Sequence, residues 1–252
     1  MMTYADLKAA AKEKLRGNWG WGALTIFLFF MASHIAAVIS LILLIPVSIP
    51  IALIFCTNNG DSYIIAYIIA LIVFCCFITY TQLFLLTGIQ AATYDLVNDK
   101  KTENVFQATF SQFINHRGWR FFTTYFLTTI LNILWFLLFF IPGCIKGLAY
   151  SQSLYIIQDA VDNGIPMTSR EAITLSRKVM NGHKCELFGL MLSFLGWLLL
   201  SIITYGIGFF WTIPYMLTTM AEYHKYVMDD YIQRHQAKLT SSKAHMTASF
   251  SV

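Results

Sequence analysis

Residues 22–45 read GALTIFLFFMASHIAAVISLILLI, an apolar run in which His34 is the only titratable side chain. A helix needs about 20 such residues to cross the hydrocarbon core of a bilayer. The run therefore predicts a first membrane-spanning helix. Pro46 and Pro50 follow within a sequence that stays apolar to Cys56, so the helix either ends at the prolines or continues beyond them with a kink.

Further apolar runs follow this one along the chain. They cover residues 63–86, 121–141, 144–158, 187–204 and 209–223, and run 144–158 is the shortest and most polar. Of the 252 residues, 57% are hydrophobic and only 12% are charged, about half the charged share of a soluble domain. This composition argues against a soluble enzyme, a disordered protein and a nucleic-acid-binding module. The sequence predicts an all-α membrane protein with about six transmembrane helices.

The positions of the basic residues test this number of spans. Lys and Arg are enriched on the cytoplasmic side of membrane proteins. With the N-terminus inside and six spans, all 17 Lys and Arg residues except Lys146 fall on the cytoplasmic side, and both termini are cytoplasmic. Lys146 is left near the outer end of run 144–158. Asp61, the only acidic residue predicted outside, is its candidate ion-pair partner.

A short amphipathic segment precedes the first, third and fifth spans, and each segment ends at a glycine: Gly17, Gly118 and Gly182. Each segment carries an apolar stripe at helical spacing. The stripes consist of Tyr4, Leu7, Ala11 and Leu15; of Phe106, Phe110, Phe113 and Ile114; and of Ala172, Ile173, Ser176, Val179 and Met180. We interpret the segments as interfacial helices, each leading through a glycine hinge into a transmembrane hairpin.

These three hairpins define repeated units of about residues 3–96, 103–160 and 168–226 within a single transmembrane domain, residues 1–235. Residues 236–252 are rich in Ser, Thr and Lys without periodicity, which predicts a disordered cytoplasmic tail. The interfacial helices either anchor the protein to anionic lipid headgroups or together form a cytoplasmic docking surface.

Polar residues inside the predicted spans are the best lead to a functional site, because they are costly in lipid and usually face the interior of a helix bundle. His34, Asn132 and Gln152 fall at a similar depth, near the middle of spans one, three and four. They form a candidate intramembrane polar site, which His34 would make sensitive to protons. The alternative is ordinary hydrogen bonding between helices. Whether Cys56 pairs with Cys144 stays open.

The third unit resembles a family of uncharacterised multipass membrane proteins of Gram-positive bacteria, known only as a domain of unknown function. The resemblance rests on SREAI at 169–173, MNGHK at 180–184, LSFLGW at 192–197, YGIGF at 205–209 and WTIPYM at 211–216. It is specific over residues 141–226, and LRGNW at 15–19 also fits. Cys185 stands where the family pattern leads us to expect Trp. The resemblance implies a bacterial cell-membrane location and brings no activity or catalytic residue.

The chain carries none of the common catalytic, phosphate-binding or metal-binding motifs. Our first hypothesis is therefore a non-enzymatic plasma-membrane protein, without cofactor or nucleic-acid partner, that binds or shields a lipid, an amphiphilic peptide or a partner membrane protein. The second is a transporter or channel for a small solute that uses the polar midplane site. The third is an inner-leaflet lipid-modifying enzyme, which would require Asp95, Glu186, Glu222 and His224 to converge.

Overall fold

The computed structural model describes the backbone of residues 2–57, 61–110 and 118–249, and this part of the chain contains helices and no strand. The all-α prediction is confirmed at that level. The helices are α1 (Tyr4–Leu15), α2 (Trp19–Thr57), α3 (Asp61–Val97), α4 (Val105–Thr109), α5 (Gly118–Leu138), α6 (Phe140–Tyr150), α7 (Ser153–Asp162), α8 (Ser169–Val179), α9 (Lys184–Leu192), α10 (Leu195–Ile203) and α11 (Phe209–Ser249).

Three helical segments of the described residues are long and apolar enough to cross a membrane: Trp19–Ser40, Gly118–Leu138 and Lys184–Ile203. Only 22%, 17% and 22% of the residues in their apolar windows are buried within the protein. Large apolar side chains such as Phe27, Ile133 and Ile203 instead point outward. A surface this apolar needs lipid around it, so the chain is a membrane protein.

Several predicted spans differ from the helices observed. Run 144–158 is divided between α6, which ends at Tyr150, and α7, which begins at Ser153. The first span continues, because α2 remains helical to Thr57 and so includes residues 46–56. Cys144 is a free, exposed thiol, and the side chain of Cys56 lies outside the described residues.

The helices α1 and α8 begin in the same way. Thr3 caps α1 and Thr168 caps α8, and in each the side chain at the third helical position, Asp6 or Glu171, bonds back to the cap residue. Such reciprocal capping boxes satisfy N–H groups that the first helical turn leaves unpaired. Hydrogen bonds from the side chain and backbone of Thr3 lower the pKa of Asp6, and hydrogen bonds from the backbone and side chain of Thr168 lower that of Glu171.

The two helices also end alike, at glycines in the left-handed conformation. Gly17 has φ of +77° and Gly182 has φ of +94°, a region that residues with a Cβ rarely adopt. The chain then enters the membrane segments that begin at Trp19 and Lys184. Gly118, the third predicted hinge, is the first residue of α5.

The apolar stripes of α1 and α8 face the protein interior. Leu7, Ala11 and Leu15 are at most 1% exposed and pack in a core shared with α9 and α11. Ala172 and Val179 of α8 are equally buried. Apart from Tyr4, which is exposed, these residues are therefore covered by protein. In the second stripe Phe106 is exposed, while Phe113 and Ile114 lie outside the described residues.

The helix α11 extends well beyond the sixth predicted span and continues to Ser249. Composition predicted a tail without regular structure after residue 235. Extending an existing helix requires no new nucleus, so a segment that would not form a helix alone can continue one. The buried part of α11, around Tyr223 and Val227, joins α1 and α9 to the core.

Candidate functional site

A basic cleft of about 380 Å³ lies between α6, α8 and the start of α9. Its lining consists of Lys146, Ala149, Thr174, Arg177, Lys178, Asn181 and Lys184. Four of these side chains are cationic and none is acidic. Lys146 and Lys184 are half-buried, whereas Arg177 and Lys178 are exposed. The lining thus collects positive charge that no carboxylate of the cleft neutralises.

The amphipathic pattern of α8 places one wall of this basic cleft. Thr174, Arg177, Lys178 and Asn181 follow one another at helical spacing and share one face. The buried stripe of the same helix, which includes Ser176, faces the core. Lys184 is the first residue of α9, and a helix N-terminus carries partial positive charge that adds to the four cations.

Two contacts hold the opposite wall, on α6. The buried hydroxyl of Ser176 donates a hydrogen bond of 2.8 Å to the carbonyl oxygen of Ala149 and so joins α8 to α6. The ammonium of Lys146 lies 4.6 Å from the centre of the Trp135 ring, a cation–π distance. The walls are therefore fixed relative to each other, and the position of Lys146 is set before any ligand binds.

The position of Lys146 bears on its predicted placement. The sequence predicted it at the outer end of span four, with Asp61 as partner. Lys146 lines one cleft with Arg177 and Lys184, which the same prediction placed inside. It also contacts Trp135, three residues before the end of α5. Run 144–158 is filled by two short helices. The pairing with Asp61 stays a prediction, because that side chain lies outside the described residues.

The three polar residues predicted to share a midplane site make contacts in different directions. His34 is exposed, and its Nδ1 lies 2.7 Å from the carbonyl oxygen of Phe30 on its own helix. Asn132 has a buried amide oxygen that has no hydrogen-bond partner within the described part of the chain. Gln152 is buried and bonds to His224. The structure thus supplies contacts for Gln152 that the sequence did not predict.

His224 is the centre of a buried polar site between α3, α7 and α11. Its ring is 1% exposed, with Nδ1 3.1 Å from Oε1 of Gln152 and Nε2 3.2 Å from Oδ2 of Asp159. The Tyr155 ring stacks on the imidazole at 5.1 Å, and the hydroxyl of Tyr94 donates to Oδ1 of Asp159 at 2.5 Å. We call these five residues the His224 site.

A second histidine lies beside a larger cleft of about 890 Å³. The Nδ1 of His183 is 2.7 Å from Glu186, and its Nε2 is 2.9 Å from Asp230, which also contacts Arg234. The lining of this cleft mixes both signs of charge: Met2, Asp6, Gly182, His183, Glu222, Lys225, Tyr226, Asp229, Asp230, Gln233 and Arg234. It differs in this respect from the basic cleft.

The residues that an inner-leaflet enzyme would need make separate contacts. Glu186 bonds to His183, Asp95 accepts a hydrogen bond from Gln158, and His224 bonds to Asp159. Glu222 lines the larger cleft. Among the described residues, no group of three or more His, Cys, Asp or Glu side chains is arranged to hold a metal ion.

A known family model matches residues 136–230 of the chain. The family is described as "Protein of unknown function (DUF975)". The matched segment contains the basic cleft and most of the His224 site, and it includes the 141–226 region in which the sequence resemblance is specific. No curated protein and no solved structure matches the chain.

Proposed function

We propose that this protein is a non-enzymatic, multipass membrane protein that binds the phosphate-bearing headgroup of an anionic lipid in the basic cleft. The observation that carries the proposal is the cluster of four cations with no acidic residue in the same lining. Basic pockets between membrane helices on the cytoplasmic side are a known mode of anionic headgroup binding. Arg and Lys together suit phosphate, Arg through paired N–H donors and Lys as a point charge.

The surroundings of the cleft favour a lipid over a free anion. Ile141 and Ile145 lie on α6 within about a turn of Lys146 and are 71% and 45% exposed. An acyl chain leaving the cleft can cover this apolar surface, which an inorganic anion would leave uncovered. The volume of about 380 Å³ suits a headgroup rather than a whole lipid. We therefore place the headgroup in the cleft and the chains outside it.

The proposed topology has six spans in three hairpins, with both termini in the cytoplasm of a bacterial cell. It rests on the enrichment of Lys and Arg on the cytoplasmic side. Lys146 is its one exception. Arg177, Lys178 and Lys184 lie on the cytoplasmic side in this topology, so we place the cleft at the inner leaflet, where anionic headgroups attract each nearby cation by about 1 kcal/mol.

Native mass spectrometry of the detergent-solubilised protein tests the proposal. We expect retention of phosphatidylglycerol in preference to phosphatidylcholine. The double variant Lys146→Gln, Lys184→Gln should bind phosphatidylglycerol roughly 30-fold more weakly, because two cations contribute about 1 kcal/mol each. The matched control Arg16→Gln, Arg170→Gln also removes two charges, from exposed residues outside the cleft lining, and should bind like the unmodified protein.

Three outcomes would overturn the proposal. Equal weakening in both double variants would mean that general surface charge attracts the lipid. Displacement of phosphatidylglycerol by inorganic phosphate would mean that the cleft binds a free anion. Retention of a peptide or a partner protein in place of lipid would assign the surface to that partner.

A further inference from the structure

His224 is held between two hydrogen-bond acceptors, and its surroundings determine how many hydrogens it carries. The argument starts at Ser151, whose hydroxyl donates to the carbonyl oxygen of Leu148 at 2.8 Å. Its only hydrogen is then used, so its oxygen accepts the 3.0 Å hydrogen bond from Nε2 of Gln152. The amide of Gln152 therefore presents its oxygen to His224, and Nδ1 of His224 must donate.

The other side of the ring faces Asp159. The Tyr94 hydroxyl donates to Oδ1 of this carboxyl group. Burial, and next the hydrogen bond to Asp159, raise the pKa of Tyr94 above its usual value, so the phenol keeps its hydrogen. Oδ2 of Asp159 lies 3.2 Å from Nε2 of His224. If neither atom carried a hydrogen, two lone pairs would face each other across this distance.

We propose that His224 and Asp159 form a proton-binding site that holds one proton between Nε2 and Oδ2, in addition to the hydrogen on Nδ1. The proton can reside on the imidazole or on the carboxyl group. In both arrangements the pair as a whole is neutral. A neutral, fully hydrogen-bonded pair is compatible with an imidazole that is 1% exposed, whereas an unpaired charge there would be costly.

A carboxylate, two phenols and a lysine lie around this site. Asp95 on α3 accepts a hydrogen bond from Gln158, the residue before Asp159, and its negative charge opposes a second one nearby. Tyr94 on α3 and Tyr155 on α7 are neutral phenols against the imidazole. Lys225, next to His224 on α11, donates to the carbonyl oxygen of Val97.

The bound proton also joins helices. Asp159 belongs to α7, Tyr94 to α3 and His224 to α11, so the hydrogen bonds of this pair connect all three. Removing the proton leaves a net negative charge on the pair and two facing lone pairs beside a buried imidazole. This proton-binding site is independent of lipid binding in the basic cleft.

Side-chain NMR of the full-length protein in phosphatidylcholine nanodiscs tests the proposal, with ¹⁵N-labelled His and ¹³C-labelled Asp. At neutral pH we expect either two protonated ring nitrogens on His224 or a protonated carboxyl carbon on Asp159. The imidazole signal that is lost in His224→Gln is assigned to the His224 ring. If that variant does not fold, single substitutions of the other histidines identify it by elimination. The exposed ring of His34 serves as the reference.

Asp159→Asn supplies the second arm, because an amide cannot hold the shared proton. We expect loss of one ring hydrogen on His224 if the proton resides on the imidazole, or loss of the protonated carboxyl signal if it resides on Asp159. A singly protonated His224 together with an ionised Asp159 in the unmodified protein would overturn the proposal.

Discussion

The basic cleft and the His224 site lie on opposite ends of the same short segment, yet they handle charge in opposite ways. Lys146 on α6 faces the cleft, and a turn later Ser151 and Gln152 lead to His224. The cleft is open and its lining has four cations without a carboxylate. The His224 ring is buried, and Asp159 beside it balances any charge on the imidazole. The comparison suggests that one site needs an anion from outside, while the other is complete within the chain.

The largest expected effect separates the two sites directly. His224→Leu leaves Asp159 without its partner and should lower the free energy of unfolding by about 3 kcal/mol, the lower end for a broken buried pair, because a third of the Asp159 side chain is exposed. Lipid affinity should stay within about twofold of the unmodified protein.

The double variant Lys146→Gln, Lys184→Gln should show the reverse, with weak lipid binding and unchanged stability. Unfolding in a denaturing detergent and lipid titration measure the two quantities, and a variant that changes both would contradict the separation.

The next effect concerns the turn at residues 181–184, which lies between the basic cleft and the larger cleft. Asn181 and Lys184 line the basic cleft, while Gly182 and His183 line the larger one. Gly182→Ala should lower the free energy of unfolding by about 1–2 kcal/mol, because alanine is strained at φ of +94°. Its Cβ would meet no crowding there, so the loss would come from the backbone conformation alone. Gly196→Ala is the matched control, since that glycine is helical and has open space around it. It should be neutral or stabilising in thermal unfolding. Equal losses in both variants would refute the role of the left-handed turn.

A smaller effect tests the clamp between the walls of the cleft. Ser176→Ala removes the buried hydrogen bond to Ala149 and should lower the free energy of unfolding by about 1 kcal/mol. Because this bond joins α8 to α6, lipid affinity should fall as well. Thr174→Val is the comparison, since Thr174 lines the cleft but bonds only to its own helix. If Ser176→Ala reduced stability without weakening lipid binding, the clamp would have no part in the site.

The smallest effect is a pH dependence at the capping box of α8. Hydrogen bonds from Thr168 lower the pKa of Glu171, so its ionised form is favoured in the folded state. The stabilisation is complete above the ordinary glutamate pKa of about 4.3 and is lost as the pH falls through the lowered folded value. Glu171→Gln should therefore remove a small part of the acid sensitivity of unfolding. An unchanged pH profile between this variant and the unmodified protein would argue against the cap.

Local patterns predicted the helices well, and tertiary contacts explain what they missed. The apolar run at 22–45 became part of α2, and the stripe at Leu7, Ala11 and Leu15 became the buried face of α1. Gly17 and Gly182 both adopt left-handed turns where the chain changes direction. These features follow from periodicity and from the conformational freedom of glycine, which short segments reveal by themselves.

The candidate sites depended on residues that are distant in sequence. Asp159 bonds to Tyr94 and His224, which come from two other helices. The charge count placed Lys146 outside, and it could not show that run 144–158 divides into α6 and α7 or that Lys146 lines one cleft with Arg177 and Lys184. The helical spacing of Arg177 and Lys178 on α8 was visible in the sequence, but its meaning required the opposite wall.

The most direct test of the account is a ¹⁵N–³¹P distance measurement by solid-state NMR, with ¹⁵N-labelled lysine side chains in phosphatidylglycerol bilayers. The account predicts a lysine population in close contact with lipid phosphorus that is reduced in the Lys146→Gln, Lys184→Gln variant, which keeps only Lys178 of the three cleft lysines. It should persist in the Arg16→Gln, Arg170→Gln control. Identical ¹⁵N–³¹P contacts in all three proteins would show that the cleft does not hold the headgroup and would contradict the central claim.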